Sequence, residues 1–183
     1  GSFILFYVGL ELASIPMACL VAFDKYRHHS AEAGAKFILN SMFSSALMLY
    51  GISMVYGTTG TTYFADITTA LTGTPLQVMA MVFFFAGLGF KLSLVPFHMW
   101  TPDVYAGTPT VFTSYMSTIV KGGSFLGFIL VMQHFPADAE YSGYLRVLLG
   151  AIIVLTLVLG NFGAVTQNSV KKMMAYSSIA QAG

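Results

Sequence analysis

Charged residues and cysteine are scarce in this sequence, and both shortages restrict what it can be. Only 8% of the 183 residues are charged, whereas 56% are hydrophobic; a soluble domain typically has about 25% charged residues. A soluble fold of this size could not bury so much apolar surface, so the composition predicts an integral membrane protein. The single cysteine, Cys19, excludes an intrachain disulfide and a cysteine metal site.

Several functional motifs are also missing. The net charge of +1, without a basic stripe, excludes a nucleic-acid-binding surface. The sequence has no P-loop, GxGxxG fingerprint, CxxC pair, HExxH motif or nucleophile elbow. The spacing of its histidines does not suit haem ligation within a membrane. We therefore expect no cofactor and no metal on this chain, and any redox chemistry would take place on another chain.

Long apolar runs occupy most of the chain. A helix that crosses a bilayer needs ~20 apolar residues, and the runs reach this length without the alternation of barrel strands. We therefore predict an all-α fold, a polytopic transmembrane helix bundle that forms one unit over residues 1–183. Because the chain starts at a span and ends inside a helix, we expect a fragment of a longer protein. The predicted spans are 3–23, 33–56, 76–100, 110–132 and 145–163, with a sixth helix starting in 170–183.

Basic residues are distributed unevenly between the loops. Loops 24–32 and 163–172 contain Lys or Arg, whereas loops 57–75 and 133–143 contain neither. Loop 101–109 shares a side with the two basic loops if successive spans alternate in direction. Because cytoplasmic loops carry the excess of Lys and Arg, we predict that loops 24–32, 101–109 and 163–172 are cytoplasmic.

Three apolar runs are interrupted by ionisable residues: Glu11, Lys91 and Lys121. A charge near the centre of a membrane helix costs about 3 kcal/mol on insertion scales, so each residue needs a partner, water or a function. We take these three as the candidate site. The alternatives are a Lys91 that snorkels to the interface and a neutral, hydrogen-bonded Glu11 that serves helix packing.

The run that contains Lys91 also contains Pro96. Proline has no backbone N–H, and its ring clashes with the carbonyl four residues earlier, here that of Leu92. We therefore predict a discontinuous helix near Lys91–Pro96, with its freed backbone groups in protein or water rather than lipid. A broken helix beside a charge at the bilayer midplane is the arrangement that transporters use at ion sites.

Lys36, His98 and Pro96 are supporting candidates. Lys36 lies three residues into the second predicted span, where it could snorkel to the cytoplasm or take part in proton transfer. His98 could relay protons, because an unperturbed histidine titrates near neutral pH, or it could be a structural histidine near the interface.

Two weaker patterns concern packing. Gly123 and Gly127 have the spacing that lets a second helix backbone approach closely. Tyr56, Trp100 and Tyr144 lie near the ends of predicted spans, where aromatic side chains commonly anchor a helix in the interface.

A single Glu–Lys pair is energetically large enough to move a proton. Making or breaking a close ion pair changes a pKa by about 1–3 units, and one unit corresponds to ~1.36 kcal/mol. Moving one proton across 100 mV costs ~2.3 kcal/mol. A Glu11–Lys91 pair would therefore suffice if the two side chains meet.

A longer string gives a family resemblance. The sequence VPFHMWTPDVYAGTPT (95–110), with GFKLS just before it, resembles the seventh-helix region of the antiporter-like subunit N family of bacterial respiratory complex I, the proton-translocating NADH:quinone oxidoreductase. FYVGLELASIP (6–16) is similar to the fifth helix of that family, and VKKMMAYSSIAQAG (170–183) to the start of its tenth.

The resemblance implies a fold and a set of roles. The family fold has about fourteen helices in two inverted repeats, each with one broken helix, so this chain would run from helix five to the start of helix ten. Glu11, Lys91 and Lys121 match the proton-transfer residues of helices five, seven and eight, and Lys36 matches a supporting lysine of helix six.

The resemblance also implies a function, partners and a location. It implies a multi-pass protein of the bacterial inner (plasma) membrane that passes protons through a buried Glu/Lys chain while quinone is reduced elsewhere. Its partners would be the lipid bilayer and the other membrane-arm subunits of complex I. Two alternatives are a subunit of an Mrp-type Na⁺/H⁺ antiporter and a structural scaffold of the membrane arm that conducts nothing.

Overall fold

The computed structural model describes residues 1–134 and 142–183, and this part of the chain is helical without β-strands. The predicted fold class, an all-α membrane bundle with a discontinuous helix, is confirmed. The helices are α1 (Phe3–Val21), α2 (His28–Thr59), α3 (Phe64–Ala70), α4 (Pro75–Leu92), α5 (Trp100–Gly107), α6 (Thr110–Met132), α7 (Ser142–Val165) and α8 (Val170–Ala182).

Five of the described helices, α1, α2, α4, α6 and α7, are long and apolar enough to cross a membrane. Their outer faces expose large apolar side chains such as Leu12 and Phe162, which fits contact with lipid. The two largest differences from the predicted boundaries are in α2, which starts at His28 rather than 33, and in α4, which ends at Leu92 rather than 100. Most of the predicted loop 133–143 lies outside the described residues.

Local sequence signals set several helix ends. The side chain of Thr74 accepts a hydrogen bond from the Gln77 amide at 3.4 Å, and Pro75 occupies the first position of α4, where its missing N–H costs nothing. At the end of α2, Gly60 adopts a left-handed conformation with φ 72° and donates to the Tyr56 carbonyl at 2.8 Å.

The break after Lys91 lies where Pro96 predicts it. Leu92 is the last residue of α4, and Ser93 adopts a left-handed φ of 61° that turns the chain away from the helix axis. The amide of Leu94 donates to the Gly89 carbonyl at 2.8 Å and closes the last turn. The chain becomes helical again only at Trp100.

Several polar groups of the break form hydrogen bonds with other protein groups. The Trp100 Nε1 donates to the Phe90 carbonyl at 3.2 Å, and the Val95 amide donates to Thr156 Oγ1 of α7 at 3.1 Å. The Thr101 hydroxyl donates to Ser93 Oγ at 2.9 Å and joins the two sides of the break. Trp100 is therefore buried, and the prediction that it anchors a span end in the interface is wrong.

The loops separate into two groups at opposite ends of the bundle. Residues from 24–32, 101–109 and 163–172 surround one cavity, so these three loops share an end, as their predicted common side requires. At the other end, Phe3 donates its amide to the Thr62 carbonyl at 2.9 Å, and the Phe64 ring packs 5.2 Å from His134.

The most extensive helix packing in the described part of the chain joins α2 to α4. A Cβ atom on Gly87 would lie 2.6 Å from Met48 Cβ and 2.7 Å from the Ser44 carbonyl. The Ser44 hydroxyl uses this approach to donate to the Gly87 carbonyl at 2.7 Å. The predicted close approach at Gly123 and Gly127 is not seen: among the described residues nothing lies within 4 Å of a Cβ on Gly123, and one on Gly127 would meet the Phe6 ring.

The first prediction concerns this contact. In the full-length protein, Gly87→Ala should lower the unfolding temperature in detergent, because overpacking between helices commonly costs about 1–3 kcal/mol. Gly122→Ala is the matched control, since nothing among the described residues lies within 4 Å of its added methyl group. Equal unfolding temperatures for the two variants would contradict the proposed close packing of α2 on α4.

Candidate functional site

Lys91 and Glu11, the first two candidate residues, meet inside the bundle. The Lys91 side chain is only 6% exposed, and its Nζ lies 3.3 Å from Oε1 of Glu11 on α1. The same Nζ donates to Ser14 Oγ at 2.6 Å and to Ser41 Oγ at 3.0 Å. An ammonium has three N–H donors, so these acceptors satisfy the charged form of Lys91 completely.

Ser14 and a further serine, Ser45, extend the hydrogen bonds around Lys91 and Glu11. The Ser14 hydroxyl donates to the Leu10 carbonyl at 2.7 Å, and the Ser45 hydroxyl donates to Glu11 Oε1. Sequence reasoning missed these serines. One signal was present: Ser41 and Ser45 lie four residues apart in an apolar helix, so both fall on one face.

Lys121, the third candidate, has a different environment. Its Nζ donates to the carbonyl oxygen of Ser178 at 2.8 Å and to the Ser178 hydroxyl at 2.9 Å. No carboxylate in the described part of the chain forms an ion pair with it. A π-helical stretch, Met116–Val120, directly precedes Lys121 within α6. Such bulges change the register of a helix and are frequent at functional sites.

One cavity connects the two lysines. Its volume is about 30 Å³, and a single water needs roughly 10–15 Å³ of space for its centre. The cavity therefore has room for one or two water molecules between Lys91 and Lys121. The polar side chains that line it are Ser14, Lys91, Tyr105, Lys121 and Ser124.

A much larger cavity, the charged vestibule, opens where the three predicted cytoplasmic loops meet. Its volume is about 630 Å³, so it can hold many water molecules. Both signs of charge are present, as expected for a solvated opening rather than an apolar pocket. Its ionisable side chains are Asp24, Arg27, His29, Glu32, Lys36, Asp103, Lys171 and Lys172.

Asp103 connects three helices at the floor of the charged vestibule. It pairs with Lys36 of α2 at 3.1 Å and with Lys172 of α8 at 3.3 Å, while Lys36 also pairs with Glu32 at 2.7 Å. The Lys36 ammonium holds the pKa of the Asp103 carboxyl below its ordinary value, and Lys172 acts in the same direction against partial burial. Lys36 thus points to the vestibule, as the snorkelling interpretation expects.

His98 and Pro96 lie in the break of the helix rather than beside the Lys91–Glu11 pair. Pro96 is exposed, and none of the described hydrogen bonds of Lys91 involves His98. The Nδ1 atom of His98 is buried and has no hydrogen-bond partner in the described part of the chain. The same part contains no group of three or more His, Cys, Asp or Glu residues placed to hold a metal ion.

An α-helical membrane bundle with a broken helix beside a buried ion pair has the architecture of an ion-translocating membrane protein. Comparison with known families agrees with this class. The chain belongs to the NADH:quinone oxidoreductase/Mrp antiporter transmembrane family, whose sequence model matches residues 1–183.

Individual relatives show which proteins the chain resembles within and beyond this family. The chain is 59% identical to NADH-quinone oxidoreductase subunit N of Phocaeicola vulgatus over 185 residues, which covers 100% of this chain and 38% of the relative. The membrane-bound sulfane sulfur reductase, an archaeal respiratory membrane complex, contains a chain with TM-score 0.91 and 29% identity, covering 100% of this chain and 37% of that one. Complex I of Thermus thermophilus with bound aureothin matches with TM-score 0.80 and 34% identity over 99% and 38% of the two chains.

The charged vestibule generates the second prediction. Lys36→Gln should raise the pKa of the Asp103 carboxyl, because it removes the contact that lowers this pKa most. The measurement is a pH titration of the carboxyl stretch by infrared difference spectroscopy, with Asp103→Asn to assign the band. Lys25→Gln, which removes an exposed loop cation, is the control. An unchanged titration in Lys36→Gln would show that the Lys36–Asp103 contact does not persist in the membrane.

Proposed function

We propose that this chain is part of a proton-translocating membrane subunit of an NADH:quinone oxidoreductase, with Glu11, Lys91 and Lys121 as its proton-transfer residues. The observation that carries the proposal is the buried Lys91 ammonium, which pairs with Glu11 at 3.3 Å and shares a cavity with Lys121. Quinone reduction takes place elsewhere in the complex, and this chain supplies the path for the protons.

The contacts of Lys91 support a two-step transfer. With Glu11 and both serines in place, all three N–H groups of the ammonium are satisfied and Lys91 holds its proton. Separation of Glu11 from Lys91 removes the negative partner and leaves an ammonium in a poorly solvated site, which favours release. The cavity with Lys121 receives the proton, and Lys121 becomes the next carrier.

Protons are taken up from water in the charged vestibule. It lies at the end formed by the predicted cytoplasmic loops and contains titratable carboxylates and His29 within a solvated volume. Vestibule charges of both signs can exchange protons with bulk water. The proposed location is a bacterial inner membrane with the vestibule towards the cytoplasm, as the excess of Lys and Arg in these loops favours.

The exposed apolar faces of the spans support the proposed partners. Large apolar side chains such as Leu126 and Leu130 on α6 are exposed, so lipid or other membrane-arm subunits of the complex would cover them. The chain spans 38% of the length of its relative in Phocaeicola vulgatus, and the further helices of the whole subunit would take part of the same surface.

The third prediction tests the proton path in the full-length subunit within its complex, reconstituted in liposomes. Lys91→Met and Lys121→Met should each lower proton transport during NADH oxidation by at least about tenfold, because a positioned proton-transfer group commonly contributes a factor of roughly 10²–10⁴. Lys25→Met, which removes an exposed loop cation, should transport protons at the wild-type rate.

A double variant separates conduction from helix anchoring. Buried ion pairs can often be replaced by apolar pairs without loss of stability, so Glu11→Leu with Lys91→Met should assemble and yet fail to transport protons. Full transport by the assembled double variant would favour the scaffold alternative. A pH change in vesicles that needs Na⁺ and no NADH would instead identify an Mrp-type antiporter.

A further inference from the structure

A further cavity, the apolar cleft, lies beside the helix break, between α4, α6 and α7. We propose that the apolar cleft binds one acyl chain of a bilayer phospholipid. The proposal does not rest on the proton path, because none of Glu11, Lys91 and Lys121 lines this cleft.

The walls of the apolar cleft suit a hydrocarbon rather than water. Its volume is about 210 Å³, and every residue that lines it in the described part of the chain is apolar, mostly leucine, phenylalanine and valine. A buried water needs about two to four polar partners, whereas an apolar cavity of roughly 150 Å³ with similar side chains stays dry and binds benzene. The cleft is therefore large enough, and apolar enough, to take up part of a hydrocarbon chain.

The cleft also has the length and the direction of an acyl chain. Its lining on α4 extends from Val82 to Leu92, a stretch that spans about 15 Å along the helix axis. The hydrocarbon core of a bilayer is about 30 Å thick, so the cleft is as deep as one leaflet. Because α4 and α7 both begin at the end of the bundle opposite the charged vestibule, the cleft lies in the opposite leaflet. It ends at the break, near the midplane where acyl chains also end.

The mouth of the cleft continues the surface that faces lipid. Val82 of α4 and Leu148 of α7 line the cleft and are exposed, whereas Leu88 and Leu92 line it and are buried. Beside the mouth, α7 exposes further large apolar side chains such as Ile153. Lipid chains that cover these faces of the two spans are therefore already at the entrance to the cleft, and a chain reaches the buried leucines only by entering it.

Contacts between the walls leave no room for a further helix in the cleft. The ring of Phe85 on α4 packs edge to face on the ring of Phe128 on α6, with the centroids 6.0 Å apart. The Val95 amide of the break donates to Thr156 Oγ1 of α7 at 3.1 Å. A helix with its side chains is about 10–12 Å wide and would have to separate these contacts. A single unbranched hydrocarbon chain enters between them without doing so.

The bound chain completes the packing of α4 on the face that does not carry Lys91. Val82, Phe85 and Leu92 are separated by three residues or by seven, so they share one face of α4, from which Lys91 points away. Side chains beside a void lose their van der Waals contacts on that side. Lipid tails are as apolar as leucine, so the chain binds because its shape fits the cleft and not because it leaves water.

The fourth prediction tests this site in the complex that contains the full-length subunit, reconstituted in phosphatidylcholine vesicles. The probe is a phosphatidylcholine with a photoreactive diazirine at the methyl end of one acyl chain, and mass spectrometry of peptides locates its adducts. We expect adducts on Leu88 and Leu92, which are buried in the cleft. Leu148→Trp should abolish these adducts, because the larger side chain fills the mouth. Leu155→Trp is the matched control: it changes an exposed leucine of the same helix that does not line the cleft, and it should keep them.

Two results would overturn the proposal. A wild-type complex without adducts on Leu88 and Leu92 would show that something other than a lipid chain fills the cleft, and this result needs no variant to assemble. Adducts that persist on both leucines in an assembled Leu148→Trp complex would show that the chain reaches them by a route other than the mouth. Neither result bears on proton transport, which the lysine variants test separately.

Discussion

The ammonium of Lys91 is the group on which the arrangement of the first helices depends. A cation in the hydrocarbon region is unfavourable unless polar groups surround it, and here the acceptors come from Glu11 and Ser14 of α1 and from Ser41 of α2. The break also stabilises the charged form of Lys91, because this residue lies in the last turn of α4, where the helix dipole favours positive charge. One side chain therefore holds three helices together at the depth where the chain changes direction.

The short helix α5 connects this cluster to the rest of the site. Its first residue, Trp100, donates a hydrogen bond to the Phe90 carbonyl at the break. Asp103 pairs with Lys36 of α2 and Lys172 of α8 in the charged vestibule. Tyr105 lines the cavity between the two lysines. These contacts lie on about two helical turns, so a displacement of α5 would change them together. Coupling between two sites needs an element with such shared contacts. The broken helix provides such an element between the vestibule and the proposed path towards Lys121.

The sequence predicts the charged half of the site much better than its neutral half. Glu11, Lys91 and Lys121 stand out because charges in apolar runs are expensive, and Pro96 locates the break because proline cannot continue a helix. Ser14 and Ser41 give no such signal, since a serine in a membrane helix can satisfy its hydroxyl on its own backbone, as Ser14 does at the Leu10 carbonyl. Trp100 misled the prediction because aromatic residues at span ends are usually interfacial, and only the break moves it inside.

The two lysines have different partners, and this difference bears on the proposed proton transfer between them. Lys91 has a carboxylate 3.3 Å away, whereas Lys121 has only neutral acceptors among the described residues. At an effective dielectric constant of about 20, such an ion pair is worth on the order of 5 kcal/mol before desolvation is counted. Moving a proton against 100 mV requires about 2.3 kcal/mol. Because the second amount is smaller than the first, partial separation of Glu11 from Lys91 supplies enough energy for the proposed proton transfer from Lys91 to Lys121.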